Sequence, residues 1–524
     1  MNTNGIRFCS MVALCGALSA CKVGPDYHRP AVPMPAQYKE VPGWTAAAPA
    51  DTAPKGDWWT DFHDPLLDQL EPLVAVSNQT VRQNYANYEE ALAEVKVARA
   101  QLFPTVGITG SATRSGGPGL SNGTGFSTTT GTTTGTGTTT GTGTSTGTTS
   151  TVVGRNGSVI SAGSLEANAS WTLDLWGKVR RLIEENKALA QADEATLINA
   201  TLSEQTLLAT TVIELRLTDA DIDLQQKAVD SYRDSLRVTE EQGKAGITAT
   251  PPSAVITARV ALETAQANLV GFGVLRAEYA HAIAVLVGKN PEDLDIPHST
   301  VMPTLPTLPA GMPSTLLQRR PDIAAAERTM AAQNAAVGIA VAAYYPTISL
   351  SGAAGFSQSP LDGLLHAANH VWSIGASGTE TLFDFGERHA EVEAARAAYE
   401  AAVASYRGTV LNALQAVEND LSGLRILADQ AQAFDIAVRD SIRGTEIATA
   451  EFQAGTADYT TVALAQVTQL SNQQSALTVQ ESRLVVAVSL IGDLGGGWSD
   501  SQLHDPGHPK TLPAQPAAAA VTSP

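Results

Sequence analysis

Residues 163–173 read Gly-Ser-Leu-Glu-Ala-Asn-Ala-Ser-Trp-Thr-Leu and lead into residues 177–242, which hold no proline and no glycine after Gly177. The first segment alternates. Leu165, Ala167, Ala169, Trp171 and Leu173 fall on one face, and Glu166, Asn168, Ser170 and Thr172 fall on the other. Period-two alternation with one apolar face predicts a strand covered on one side. The second run is about 65 residues, which as a helix would be on the order of 95 Å long against a ~30 Å hydrocarbon core. Acidic and basic residues recur throughout it, so it reads as a solvated helix packed sideways on others.

The same strand-then-helix pair is written a second time. Residues 371–383 alternate, with Trp372, Ile374 and Ala376 opposite Ser373, Ser377 and Thr379, and the proline-free run 386–452 follows. In that run Tyr399, Ala402, Tyr406, Val410, Ala413, Val417, Leu421, Leu424, Ala428, Ala431, Phe434 and Val438 step by threes and fours, near the coiled-coil period. Leu182, Leu189, Leu197, Leu208, Val212 and Leu215 show the habit less regularly in the first run. Each run ends in a tip: residues 242–248, with Gly243 and Gly246, and residues 452–458, with Gly455 and Asp458. Glycine there allows the positive φ that closes a helix. Returning helices are predicted over 253–287 and 459–491. Gly177 and Gly386 are as far apart as Gly246 and Gly455, which marks an internal duplication.

Two more strands complete the pattern. Residues 103–110 (Phe-Pro-Thr-Val-Gly-Ile-Thr-Gly) begin one, and residues 344–350 (Tyr-Tyr-Pro-Thr-Ile-Ser-Leu) begin its repeat. Ile348, Leu350, Ala354 and Phe356 face one way; Thr347, Ser349 and Ser351 face the other. Strands of about 10 residues with one apolar face suit a membrane barrel, although a soluble pair of hairpins alternates in the same way. An open four-stranded sheet in lipid would leave roughly ten backbone groups unpaired, at several kcal/mol each. That sum exceeds a domain's whole stability of about 5–15 kcal/mol. Closure therefore comes by association. Two chains would supply eight strands, whose interior fills with side chains; three would supply twelve and leave a pore. The expected assembly is a homotrimer.

The ends of the chain are read separately. Residues 1–20 have the form of a secretory signal, with Arg7 before an apolar core from Phe8 to Ala17. Leu18-Ser19-Ala20-Cys21 resembles a bacterial lipobox, which makes Cys21 the expected site of a covalent lipid such as palmitate, with a plain thiol as the alternative. Cys9 and Cys15 leave with the signal, so no disulfide is expected. Lys22 in place of aspartate favours the outer membrane, by resemblance to bacterial lipoproteins. Residues 21–65 form a lipidated, proline-rich, extended segment. His63 between Asp61 and Asp64 suggests acid–base work or a polar turn before a helix with Pro65 at its first position; the turn is the expectation.

The first repeat, 66–288, opens with a helix over 66–102 and carries a Gly/Thr/Ser loop at 116–154 with nothing to bury. A proline-rich linker, 289–320, joins it to the second repeat, 321–497, and a Pro/Ala-rich tail, 498–524, is expected to be disordered. The net charge of −19 argues against nucleic acid as a partner. No transmembrane helix is expected after the signal. No catalytic constellation is present, and the pair His366 and His370 lacks a third ligand, so neither enzyme activity, metal nor any cofactor beyond the lipid is expected.

Several segments then carry a family resemblance. Cys21-Lys22-Val23-Gly24-Pro25-Asp26-Tyr27 with Pro30, Trp58-Trp59 with Phe62 and Asp64-Pro65, and Met312-Pro313-Ser314 with Leu316-Leu317 and Arg319-Arg320-Pro321-Asp322-Ile323 resemble outer-membrane lipoproteins of resistance-nodulation-division efflux systems, the NodT branch of the TolC-like family. The resemblance implies a mainly α, α+β fold and a trimeric channel. A twelve-stranded transmembrane barrel would join a periplasmic α-barrel of coiled-coil helices, and an equatorial belt would come from the termini and the linker. Its implied partners are a periplasmic membrane-fusion adaptor and an inner-membrane proton-driven pump, with the two tips as the periplasmic mouth. Relatives often carry Asp-Ala-Gln-Arg after the second tip as a charged lock. Here Leu464-Ala465-Gln466-Val467 stands there, so that lock is not carried over. Asp440, Glu446, Glu451 and Asp458 are the candidate acidic gate, against the alternative of a solvated helix face. The expected function is a passive exit duct for drugs or other toxic small molecules. A duct for secreted peptide or protein and a periplasmic coiled-coil scaffold are the alternatives.

Overall fold

The computed structural model describes residues 22–32, 35, 38–40, 57–115, 160–245, 252–299, 301–306, 319–359 and 361–506. Cys21 and the signal before it, the 116–154 loop, Gly246 and the 312–317 motif lie outside the described residues. The chain forms two compact units. Of the described residues, one unit is built on those within Arg99–Arg180 and Ala342–Arg388 with Lys22 and Val23, and the other holds the rest.

The first unit is an antiparallel sheet, β1 (Thr105–Ser115), β2 (Ile160–Leu173), β3 (Thr347–Gln358) and β4 (His370–Thr379), in the order β1-β2-β3-β4. Consecutive strands pair throughout, so each repeat gives one hairpin and β2–β3 joins the two repeats. Short hydroxyl pairs tie the ladder on one side: Thr105 to Ser170 and Ser111 to Ser164, both at 2.8 Å.

The second unit is helical. α1 (Pro65–Ser77) and α2 (Gln79–Ala100) precede the sheet hairpin in sequence, and α5 (Pro321–Ala342) is their counterpart in the second repeat. The long helices α3 (Lys178–Lys244) and α6 (Glu387–Gln453) are both 67 residues, and the returning helices α4 (Pro252–Leu286) and α7 (Tyr459–Asp493) are both 35. The duplication read from the glycine spacing is thus kept to the residue. The core runs along α3, α6 and α7 with the 57–77 region, through Leu208, Val212, Leu215, Val410, Val417, Leu421 and Leu484. The apolar seam of α6 is buried from Tyr406 to Leu424, but Ala428 is exposed, and Ala431, Phe434 and Val438 are only half-buried.

Four expectations are corrected. The helix expected over 66–102 breaks at Asn78, whose backbone is extended. Its side-chain oxygen accepts from the N–H of Thr80 (2.8 Å) and Val81 (3.2 Å), and its amide donates to the Leu286 carbonyl at 2.9 Å, so one residue ends α1, caps α2 and ties both to α4. The tail is ordered through Pro506. Trp498 is buried against Ala195 and Ala324, and the Glu194 carboxylate accepts from the His504 backbone at 3.0 Å and also meets its ring. Gly243 is not a helix terminator: it lies inside the last turn of α3 and is not among the positive-φ glycines. Finally, α4 is long and apolar enough, by length and composition, to cross a membrane, with only 17% of its most apolar window buried by this chain. Ala258, Leu262, Ala265 and Ile283 face the chain's own core, while Ile256, Val260, Val270, Val274 and Val285 are exposed, so α4 is apolar on more than one side.

The N-terminal segment is extended where described and runs over the helices. Arg181, fully buried, donates to the Gly24 carbonyl (3.0 Å) and Asp26 (3.1 Å). Tyr27 donates to Glu327 at 2.5 Å, Arg29 donates to the Tyr406 hydroxyl at 3.1 Å, and the Lys39 N–H donates to Glu418 at 2.7 Å. Gly24 is needed at its crossing: φ is +92°, and a Cβ there would fall 2.4 Å from the Gly338 Cα.

Candidate functional site

The register assigns the two faces of the sheet. Leu165 pairs with Phe356, Ala167 with Ala354, Trp171 with Leu350 and Leu173 with Ile348. The same row continues to Val106 and Ile108 on β1 and to Trp372 and Ile374 on β4. This apolar face is uncovered: Ile108 is 77% exposed and Ile374 84%. In water such a face would be a liability; against hydrocarbon it is favourable, at roughly 25 cal/mol per Å². The opposite face carries Thr105, Thr109, Ser111 and Thr113 on β1, Ser164, Glu166, Asn168, Ser170 and Thr172 on β2, Thr347, Ser349 and Ser351 on β3, and Ser373, Ser377 and Thr379 on β4. Apolar-out and polar-in alternation is the signature of a barrel strand.

The strand-to-helix joints are capped by aspartates. Asp174 accepts from the N–H of Val179 (2.9 Å) and Arg180 (3.0 Å) and pairs with the Arg180 guanidinium at 3.1 Å. Asp384 plays the same part before α6, accepting from the N–H of Gly386 at 3.0 Å and pairing with Arg388, which holds its carboxyl below the usual range. At the first joint Trp176 stacks on Tyr345 at 4.9 Å, with its ring N–H donating to the Pro346 carbonyl. The Val23 N–H reaches the Trp176 carbonyl at 3.2 Å, so the chain just after Cys21 is held at this joint.

At the far end of the hairpins, α6 closes with Gly455 at φ +75°; the Thr456 N–H reaches the Glu451 carbonyl at 2.9 Å and the Gly455 N–H the Phe452 carbonyl at 3.0 Å. Phe452 and Tyr459 pack edge to face at 5.8 Å, in a cluster with Ala448, Val462 and Ala258 from the first repeat. Burial pushes the Tyr459 hydroxyl up to about 12. Of the candidate gate acids, Asp458 caps α7 through the Thr461 N–H at 3.2 Å, and Glu446 pairs with Arg443 at 3.2 Å. Asp440 and Glu451 are exposed on α6. Leu464 and Val467 are exposed, whereas Gln466 is buried and donates to Ser231 and Ser235 at 3.0 Å each, joining α7 to α3. Sequence reading passed over that bridge, since its partners lie more than 200 residues away. His63 sits in the expected turn, its ring 3.0 Å from the Thr304 hydroxyl.

A half-solvated sheet of membrane-strand length, carried with two long helical hairpins, defines a channel-forming outer-membrane protein. The chain belongs to the outer membrane efflux protein family, whose model matches residues 72–289 and 312–496. It is 28% identical to the probable efflux pump outer membrane protein TtgC of Pseudomonas putida over 92% of this chain and 93% of that protein. It is 30% identical to the solvent efflux pump outer membrane protein SrpC of the same species, over 93% and 97%. The solved outer-membrane channel OprN superposes with a TM-score of 0.78 at 28% identity, covering 91% of this chain and 100% of that one. The fold is TolC-like, and the protein is an outer-membrane efflux channel with a periplasmic helical extension.

Proposed function

We propose that three copies of the chain form the exit duct of a tripartite pump that expels drugs, solvents or other toxic small molecules. The observation that carries the reading is the uncovered apolar face of the sheet beside its polar reverse, on a sheet whose two edges, β1 and β4, are open in one chain. The exposed valines of α4 support it, since a helix apolar on more than one side needs cover from neighbouring copies. In this reading the twelve strands close a barrel and the long helices line a tunnel through the periplasm. The partners are a periplasmic adaptor and an inner-membrane pump of the resistance-nodulation-division class, which supplies the energy.

Cys21 carries the lipid anchor, and the fixed Val23 contact at the Trp176 joint sets where the acyl chains enter the membrane. The acids Asp440, Glu446, Glu451 and Asp458 form the rim of the periplasmic mouth and favour cations there, with Gly455 closing the second tip. A deletion strain tests the function: it should become sensitive to toxic organic compounds and be rescued by the intact gene. Cys21→Ala should rescue less well and leave part of the protein outside the outer-membrane fraction. Unchanged sensitivity across a broad compound panel would refute the exit-duct reading.

A further inference from the structure

The polar face of the sheet is unusually plain. Among the described residues of the four strands it carries Gly, Ala, Ser, Thr, one Asn, one Val, Ile160 at the start of β2 and a single ionisable side chain, Glu166. Arg114 lies on the other face, in register with Ser161 near the end of the sheet. Glu166 stands midway along β2, opposite Thr109 on β1 and Gly355 on β3. The β2 backbone passes close to Gly355: a Cβ there would fall 2.2 Å from the Leu165 carbonyl oxygen, 2.6 Å from the Glu166 Cα and 2.9 Å from its Cγ, so no side chain stands beside the carboxylate on β3. Its other close neighbours on that face are Ser164 and Asn168, and the Asn168 amide donates diagonally to the hydroxyl of Thr109, the residue opposite Glu166, at 2.7 Å. Among the described residues of the sheet, no guanidinium or ammonium pairs with the carboxylate.

We propose that Glu166, repeated in each copy, forms a ring of carboxylates halfway along the barrel lumen and sets the lumen's charge preference toward cations and cationic substrates. The inference rests on the trimeric duct proposed above. In a twelve-stranded barrel with strands ~4.8 Å apart and tilted about 40°, the backbone radius is roughly 12 Å. A glutamate reaches about 5 Å inward, which leaves the three charges roughly 7 Å from the axis. That distance lies within a Debye length of about 10 Å at 0.1 M salt and outside the ~3 Å of 1 M salt. The ring therefore acts on permeating ions at low salt and is screened at high salt. The wall around it is uncharged hydroxyl and glycine, so nothing else in the described strands offsets its field.

The test is the reversal potential of the purified full-length protein in planar bilayers under a KCl gradient kept near or below about 0.1 M. Glu166→Gln should lower the K⁺/Cl⁻ permeability ratio roughly twofold or more, Glu166→Lys should favour Cl⁻, and Glu166→Asp should keep the native ratio. The difference should vanish near 1 M KCl. A Glu166→Gln channel of normal conductance with an unchanged ratio at low salt would overturn the ring while leaving the duct intact. Absence of current from every form, native included, would refute the duct and the ring together.

Discussion

The long helices α3 and α6 are duplicates of equal length, yet they are built for different neighbours. α3 buries charge: Arg181 on the N-terminal segment, Glu194 on the tail, Arg216 on Asp64, and Asp219 between Arg276 and His298. The buried positions of α6 are only a seam of Val, Leu, Tyr, Ala and Phe, and its half-buried Asp420 holds one carboxylate oxygen out of water. α6 shows Leu411, Ile426, Ile436 and Ile447 to the outside. Duplication thus kept length, tip and return, while the first copy ties the non-repeated segments through buried charges and the second holds the N-terminal segment through the Tyr406 hydroxyl and the more exposed Glu418 and Arg425. A sequence can keep one skeleton and redistribute its polar contacts freely, because the skeleton depends on spacing and the contacts on single residues.

Breaking an α3 tether should cost most. Asp64→Ala leaves the 7%-exposed Arg216 without its carboxylate, and the expected loss is about 3–5 kcal/mol in denaturant unfolding of the detergent-solubilised protein. Truncating the α6 seam by Leu421→Ala, at a fully buried site, should cost about 2–5 kcal/mol by the same assay. The matching polar contact on α6, Arg425 with Glu40 at 2.9 Å, is half-exposed, and Arg425→Ala should cost less than about 1 kcal/mol. Ile426→Ser, on the outward face, should change unfolding of the separated chain by less than about 0.5 kcal/mol while weakening assembly in cross-linking.

A pH experiment sharpens the account of the buried charge. Glu71 on α1 is fully buried with neither carboxylate oxygen bonded, and burial pushes it up to about 9. The folded chain then keeps a proton that the unfolded chain releases above about 4.5, so stability falls as pH rises from there toward 9. Glu71→Gln should leave the midpoint of thermal unfolding unchanged near pH 4 and raise it near pH 8. An equal change at both pH values would place the effect in packing rather than in the proton.

What the sequence disclosed followed from periodicity. Alternation over 163–173 assigned the faces of β2 residue by residue, and the threes and fours of α6 located its seam as far as Leu424. Alternation also separated Glu166 from its apolar neighbours, though only the register with Thr109 and Gly355 set it in an uncharged wall. The break at Asn78 was hidden because both flanks read as helix and no glycine or proline stands at the break. The tethers of α3 and the Gln466 bridge were hidden for another reason: Arg181 meets Gly24, Arg216 meets Asp64 and Gln466 meets Ser231, pairs that no local window contains. The same limit applied to the tail, where a Pro/Ala-rich composition masked the anchor of Trp498 against Ala195.

The central claim is that one chain cannot close its own sheet. Native mass spectrometry of the full-length protein extracted in mild detergent tests it directly. The account predicts a single species of three chains, with β-strand signal retained on heating until the trimer separates. A stable monomer with its β1 and β4 edges protected from hydrogen exchange would contradict it.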